Sequence, residues 1–292
     1  MIIDTHCHYN LAPIWNDQQP ESWKEHWRKA TESGVIGSMI VGVDADTSSL
    51  AVSMAKTDSR LLAAVGFHPN HCSELITTDE QYSQPQLEQQ LDSIRQHITA
   101  LCTSEPVAAI GEIGLDYYRL PEANEARDQI LAVQQASCVL QISMAAEFEL
   151  PLILHVRDKP DSTEAHTKMI ELLEAHASFA QPFILHCVSG SIAYVRKAIE
   201  LGGYIGLAGN VTYKSAQLIR DISQSVPSDR LLIETDAPYL APQAYRGKSC
   251  EPWMISETAR YLDEELGFSK QQLLENTMRV FPQFEHILHK AK

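Results

Sequence analysis

The sequence predicts an α/β protein folded as one closed (β/α)8 barrel, the TIM-barrel class. Three observations predict it: eight short β-rich apolar runs, a helical pattern after each, and polar residues gathered where those runs end. Parallel strands covered on both faces read as unbroken apolar runs rather than alternating ones. Eight of them alternating with helices close into a barrel. An open doubly wound sheet is the alternative, but no G-x-G-x-x-G follows the first strand. The 292 residues suit one such barrel, and no repeat, low-complexity tract or linker divides them. A single domain is therefore expected over 1–292.

MIIDTH (1–6) is the first strand, and the Pro- and Asn-rich NLAPIWNDQQPE (10–21) is a loop. A helical pattern over about 21–33 leads to GVIGSMIVGV (34–43), and another over 47–57 leads to LLAAVGF (61–67). CSELITTDEQYSQP (72–85) reads as a second long loop. The clearest helix follows within 85–102, where Leu87, Leu91, Ile94, Ile98 and Leu101 step by four, three, four and three. It precedes VAAIGEIGL (107–115). Helical patterns over 123–148, 161–178, 190–201, 214–225 and 252–266 accompany the strands LPLILHV (150–156), PFILHC (182–187), GGYIGLAG (202–209) and LLIETDA (231–237). A last helix starts after Gly267, with Ser269 as its cap.

Apolar residues make up 44% of the chain, enough for a sizeable core. The net charge of −15 repels a phosphate backbone, so a broad basic face tracking long nucleic acid is not expected. An active site that grips one phosphate through bound cations is not excluded by it. The six cysteines stand singly with no C-x-x-C, residues 1–10 contain no Lys or Arg, and no apolar run approaches the ~18 residues that span a bilayer. These features predict a soluble, cytoplasmic protein with reduced thiols and no membrane association, a monomer by default. Cys7 and Cys187 each adjoin a histidine, but strand alternation turns them away from it, and packing is their expected role.

The working face of such a barrel is the C-terminal end of its strands. Strand one ends with Asp4, His6 and His8, which share a face because side chains two apart do so. Strand three ends in GFHPN with His68, and strand four carries Glu112 inside an apolar run. Strand five supplies His155 and Arg157, strand six His186, and strand eight Glu234 and Asp236. Taken singly, a strand histidine is more often a hydrogen-bonded core or rim residue. Glu112 says more, because a carboxylate in an apolar strand needs a buried Arg or a metal to balance it. Taken together, His6, His8, His155, His186, Glu112 and Asp236 at one end of one barrel point to a metal cluster. Six ligands suit two ions, with Glu112 as the bridge, His6, His8 and Asp236 on one ion and His155 and His186 on the other. Asp4 would orient a ligand ring through its free N–H, or be an ordinary strand-end acid.

The motifs D-T-H-C-H, G-F-H-P, G-E-I-G-L-D-Y-Y, H-V-R-D, H-C-V-S-G-S and E-T-D-A-P-Y-L-A-P followed by R-G-K closely resemble those of the TatD-type metal-dependent hydrolases, members of the amidohydrolase superfamily. The resemblance runs from residue 4 to about 280. It implies a TIM barrel, a first divalent cation on His6, His8, Glu112 and Asp236, and a second on Glu112, His155 and His186. It also implies hydrolysis of DNA phosphodiesters, in some members from the 3′ end of single strands. In others it implies removal of D-amino acids from tRNA. The sequence departs from the family pattern at Val188, at Ser249 and Cys250, and in a longer loop over 10–22. All three lie outside the ligand set and bear on the substrate.

Water held between two such ions loses a proton near neutral pH, its pKa falling from 15.7 to about 7. Asp236 would orient that water and take its proton, with Glu112 as its catalytic partner at the bridge. Zinc or manganese suits imidazole-rich ligation, and magnesium suits nuclease chemistry. His68 and Arg157 are the expected substrate contacts. The S-G-S at 189–191 before a helix, and Arg246 with Lys248, are weaker anion candidates. The expected partner is single-stranded or short DNA. The rival readings are an ester or amide hydrolase, such as a D-aminoacyl-tRNA deacylase, and a barrel that holds metal only for structure.

Overall fold

Eight strands pair in parallel in the order of the sequence: β1 (Ile2–Cys7), β2 (Val35–Val41), β3 (Leu61–Val65), β4 (Val107–Asp116), β5 (Leu152–Arg157), β6 (Phe183–Leu185), β7 (Gly203–Leu207) and β8 (Leu231–Ile233). The computed structural model describes residues 1–73, 83–122, 125–176 and 180–290. The ring closes just beyond the β8 ladder. There Cys7 bridges Ala237, the Asp236 N–H donates to the His6 carbonyl (2.9 Å), and the His8 N–H donates to the Ala237 carbonyl (2.8 Å). Around the barrel lie α1 (Ser22–Glu32), α2 (Ala45–Ala55), α3 (Pro69–Ser73), α4 (Gln84–Cys102), α5 (Glu125–Glu147), α6 (Glu164–Ala175), α7 (Ile192–Glu200), α8 (Gln217–Gln224), α9 (Ile255–Glu264), α10 (Lys270–Val280) and α11 (Glu285–Lys290). The expected (β/α)8 barrel is therefore the observed fold.

Local chemistry sets the helix starts. Asp44 caps α2 in a box with Thr47, Ser191 caps α7 by accepting the Tyr194 N–H, and Ser269 caps α10 by accepting the Gln272 N–H, as its position predicts. The helix expected from residue 252 starts at Ile255, because Pro252–Met254 forms a tighter 3-10 turn. α3 and α11 span one or two turns, too short for apolar periodicity to reveal them. Most of the loop expected over 72–85, the first two residues of the helix expected over 123–148 and the last two of that over 161–178 lie outside the described residues.

The strands carry two apolar layers by alternation. Leu152, Leu154, Phe183, Leu185, Leu231 and Ile233 pack outward under the helices. Ile153, Ile184 and Leu232, together with Ile3, Met39, Leu62 and Tyr204, point inward. Phe281, Phe284 and Ile287 join that inner cluster and close the end of the barrel from which the strands start. β6 and β8 are shorter than expected because Cys187 (φ 45°) and Asp236 (φ 57°) turn the chain off the sheet. Gly114 has a positive φ of 140°, and a Cβ there would meet the His155 carbonyl oxygen at 2.0 Å, so β4 and β5 approach closely only through glycine.

Candidate metal centre

At the opposite, C-terminal end of the barrel the inward positions change from aliphatic to ionisable. The strand ladder holds each functional residue by its backbone. The Glu112 N–H donates to Gly42 O (3.0 Å), the His186 N–H to Leu154 O (3.0 Å) and the His68 N–H to Val43 O (2.8 Å). His155 lies within β5, paired with Gly114. All six residues expected as ligands converge. His6 Nε2 and His8 Nε2 face each other at 3.1 Å, and stand 3.5 and 3.7 Å from Glu112 Oε2. Asp236 Oδ1 lies 3.4 Å from His8 Nε2 and 3.8 Å from both His6 Nε2 and His186 Nε2. The other Glu112 oxygen, Oε1, meets His155 Nδ1 at 2.9 Å and His186 Nε2 at 3.7 Å.

Glu112 is 4% exposed. Among the described residues the basic groups within 4 Å of its carboxylate are all histidines. Its charge therefore faces imidazoles alone, which could balance it by carrying protons or by holding cations. Burial alone would raise the Glu112 pKa, but His68, His186, His155 and His6 pull it well below the usual carboxylate range. Asp236 is lowered in the same way against its burial, chiefly by His186 and His8. Burial opposes charging of His186 too, yet Glu234, Asp236 and Glu112 push its pKa up to about 10. Two carboxylates kept ionised among clustered imidazoles are suited to binding cations.

The outer nitrogen of each ring decides which nitrogen has a free lone pair. His8 Nδ1 faces the Val41 carbonyl at 2.9 Å, so Nδ1 carries the hydrogen and the Nε2 lone pair points into the cluster. His186 Nδ1 lies 2.8 Å from Glu234 Oε1 in an ion-pair contact rather than a straight hydrogen bond, and the carboxylate favours hydrogen on that nitrogen. His155 is turned the other way, its Nε2 facing Asp116 Oδ2 at 3.4 Å and its Nδ1 facing Glu112. His68 differs. Its Nδ1 accepts the Asn70 N–H (3.2 Å), so the hydrogen sits on Nε2, which points at Glu112 Oε1 from 3.6 Å. His68 has ligand spacing with Glu112 and His155, but its hydrogen bonding makes it a donor. Burial and the neighbouring His155 lower its pKa to about 3, which keeps the ring neutral.

Three expectations need correction or refinement. Asp4 does not orient a ligand ring. Its carboxylate accepts the His6 N–H (3.2 Å), the Thr235 N–H (2.9 Å) and the Thr235 hydroxyl (2.7 Å), tying β1 to the end of β8. A register shift between Asp4 and Cys7 removes it from the face of His6. His186 stacks on His6, with centroids 3.6 Å apart, so it stands close to both halves of the cluster. Arg157 lies outside the ligand cluster, exposed, with its guanidinium 4.0 Å from the Tyr118 ring. Cys7 is packed in the core as expected, and Cys187 accepts a contact from Asn210 Nδ2 at 3.5 Å.

Sequence reasoning overlooked the carboxylates behind the rings. Glu234 was visible only as a strand-end acid, and Asp116 was unassigned. The available signal was an even offset, two residues from Asp236 and four from Glu112. Glu234 is fully buried and packs over Gly206, where a Cβ would meet its Oε2 at 2.2 Å. The geometry suits holding cations between hard and imidazole ligands and presenting them to a substrate at the barrel mouth.

Residues 3–285 match the family described as TatD related DNase. An uncharacterized metal-dependent hydrolase of Bacillus subtilis, YabD, is 29% identical over 285 residues, which cover 96% of this chain and 99% of that protein. A Yersinia pseudotuberculosis protein named 3′-5′ ssDNA/RNA exonuclease TatD is 31% identical over 263 residues, 87% of this chain and 90% of its own. Among solved structures, the Escherichia coli TatD homologue YJJV aligns with a TM-score of 0.75 at 27% identity, covering 96% of this chain and 98% of its own. Because the match runs from Ile3 to Glu285, and so spans every strand that contributes to the cluster, the chain belongs to the TatD related DNase family and is a metal-dependent hydrolase.

Proposed function

We propose that this hydrolase is a nuclease that cleaves phosphodiester bonds in single-stranded or short DNA from a 3′ end, using two divalent cations (zinc, manganese or magnesium). The observation that carries the reading is Glu112, which offers one oxygen to His6 and His8 and the other to His155 and His186. A carboxylate divided in this way suits a bridge between two ions. His6, His8, Asp236 and Glu112 Oε2 would hold one ion, and Glu112 Oε1, His155 Nδ1 and His186 Nε2 the other. When bound, such ions supply a nucleophile at neutral pH and counter-charge for the phosphoryl oxygens.

The protein's own groups do the rest. Val41 O accepts from His8 Nδ1, and the carboxylates of Glu234 and Asp116 stand at ion-pair distance behind His186 Nδ1 and His155 Nε2, where they favour hydrogen on those outer nitrogens. Asp236 is more open to the mouth than Glu112, with 12% of its side chain exposed against 5%, which suits it to orient the attacking water and accept its proton. His68 Nε2–H is available to a phosphoryl oxygen. The rim adds cations laid over tyrosines: Arg157 on Tyr118 (4.0 Å), Arg246 on Tyr213 (4.6 Å) and Lys248 on Tyr245 (5.9 Å). All three pairs come from segments that follow strands, within a chain of net charge −15. Cationic and aromatic groups in alternation suit single strands, whose bases stack and whose phosphates need charge. The name of the Yersinia relative points the same way.

The test is hydrolysis of a labelled single-stranded oligonucleotide and of a D-aminoacyl-tRNA, side by side at equal enzyme, with each of the three metals. Faster release of nucleotides is expected. Faster release of the D-amino acid would replace the nuclease by a deacylase on the same residues.

A further inference from the structure

A second constellation lies beside the metal centre and is not used by it. Asp158 and Ser189 each stand three residues beyond a cluster histidine, His155 and His186 respectively. Between them lies His166 of α6, only 5% exposed, with its ring against Tyr194 (centroids 4.5 Å apart). Ser189 Oγ is 3.2 Å from His166 Nε2, and His166 Nδ1 is 2.6 Å from Asp158 Oδ2, an ion-pair contact rather than a straight hydrogen bond. We propose that Ser189, His166 and Asp158 form a second hydrolytic centre, independent of metal, that cleaves carboxylic esters through an acyl–serine intermediate.

The surroundings assign each group its part. The Asp158 side chain is fixed in place by accepting from the Ala165 N–H (2.9 Å), the His166 N–H (3.1 Å) and the Ser162 hydroxyl (3.1 Å). Facing His166 Nδ1, it favours the tautomer with hydrogen there and a lone pair on Nε2 toward the serine. Burial lowers the His166 pKa, so the ring is neutral and able to accept a proton. The Ser189 hydroxyl is shared between that lone pair and the Val156 carbonyl (3.1 Å). Gly190 leaves room for the ring, since a Cβ would come within 2.8 Å of Nε2. The serine stands just before α7, where Ser191 takes the Tyr194 N–H and the N–H groups of Ile192 and Ala193, without a partner within the helix, could hold an oxyanion.

Ser189 and His166 line one cleft of about 830 Å³, with Arg157, Lys159, Tyr118 and Leu218 among its walls. Arg157 and Lys159 are offset in these walls by Asp158 and Asp161, so the apolar side chains set the preference, for an ester with an apolar body and no net charge. In the first step Ser189 Oγ bonds to the acyl carbon and its proton passes to His166 Nε2. The carbon–oxygen bond to the alcohol breaks, and the alcohol leaves with that proton. Water then attacks the acyl–serine and yields a proton to His166. The carboxylic acid departs as Ser189 regains a proton.

The test is reaction of the protein as purified with diisopropyl fluorophosphate, read by intact mass and peptide mapping. A single adduct on Ser189 is expected, formed with loss of fluoride. It should be absent in Ser189→Ala and form about 10²-fold more slowly in His166→Gln. The labelling rate should not change with EDTA or in Glu112→Ala, which separates this centre from the metal-dependent one. Failure of the unaltered protein to label at Ser189 overturns the proposal without any variant having to fold. So does an undiminished rate in a His166→Gln protein whose circular dichroism is native.

Discussion

The two ends of the barrel interior are built from the same strands and differ in almost everything else. Ile153 and His155, Ile184 and His186, and Leu232 and Glu234 are neighbours on one inward face, two residues and about 7 Å apart along the strand. At the lower level the side chains meet Phe281 and Phe284 and exclude water. At the upper level they are imidazoles and carboxylates, somewhat more open to the mouth and uncompensated by any lysine or arginine within 4 Å of Glu112 among the described residues. One pleat repeat therefore separates packing that stabilises the fold from a charged cluster whose burial is costly without cations. The left-handed residues Cys187 and Asp236 also belong to the upper level, where chain direction serves side-chain placement.

Substitutions at the two levels should therefore fail in different ways. The largest effect is expected for Glu112→Ala. Hydrolysis should fall by at least about 10³-fold and bound metal per protein, measured by elemental analysis, should drop, with the fold retained. Turnover that survives would remove Glu112 from its bridging role. Phe281→Ala should do the reverse, lowering stability in urea by about 3–5 kcal/mol while the folded protein keeps its metal. Loss of metal at native conditions would show that the two levels are coupled.

A smaller change sharpens the upper level itself. Glu234→Gln retains size but removes the charge that faces His186 Nδ1, and metal affinity in competition with a chelating dye should weaken about 10–100-fold. An unchanged affinity would mean that the His186 ring is oriented by packing alone. The smallest effect belongs to the lower end. Burial would raise the Asp58 pKa, but the hydrogen bonds from Arg60 and from the Trp27 indole outweigh it and hold it at about 2, below its ordinary 3.8. Its ionised form thus adds stability above pH 4, and that share is lost as pH falls toward 2. Exposure of the pair limits it to under about 1 kcal/mol. The stability gap between the protein and Asp58→Asn should close between pH 5 and 2. A gap constant over that range would rule out the ionised pair as its source.

How far these two levels could be read in advance differs residue by residue. The barrel was legible because most strands are unbroken apolar runs with a helix pattern behind them. His6, His8, Glu112, His155, His186 and Asp236 were legible because they interrupt or end such runs. Glu234 and Asp116 were not, since a buried acid that serves a neighbouring ring looks the same in sequence as a strand-end acid. Asp4 misled for a related reason. Alternation placed it beside His6, but an irregular register between Asp4 and Cys7 sent it to Thr235 instead.

The order of apolar and polar residues along the chain was sufficient by itself to determine the strand count, the working end of the barrel and the chemical types gathered there, because periodicity and burial are local properties. Which oxygen of Glu112 faces which histidines, which ring nitrogen is free, and that Ser189, His166 and Asp158 meet were decided only by the tertiary structure. Those relations depend on ångström-scale distances between segments up to some two hundred residues apart, fixed by how the closed sheet staggers its strands.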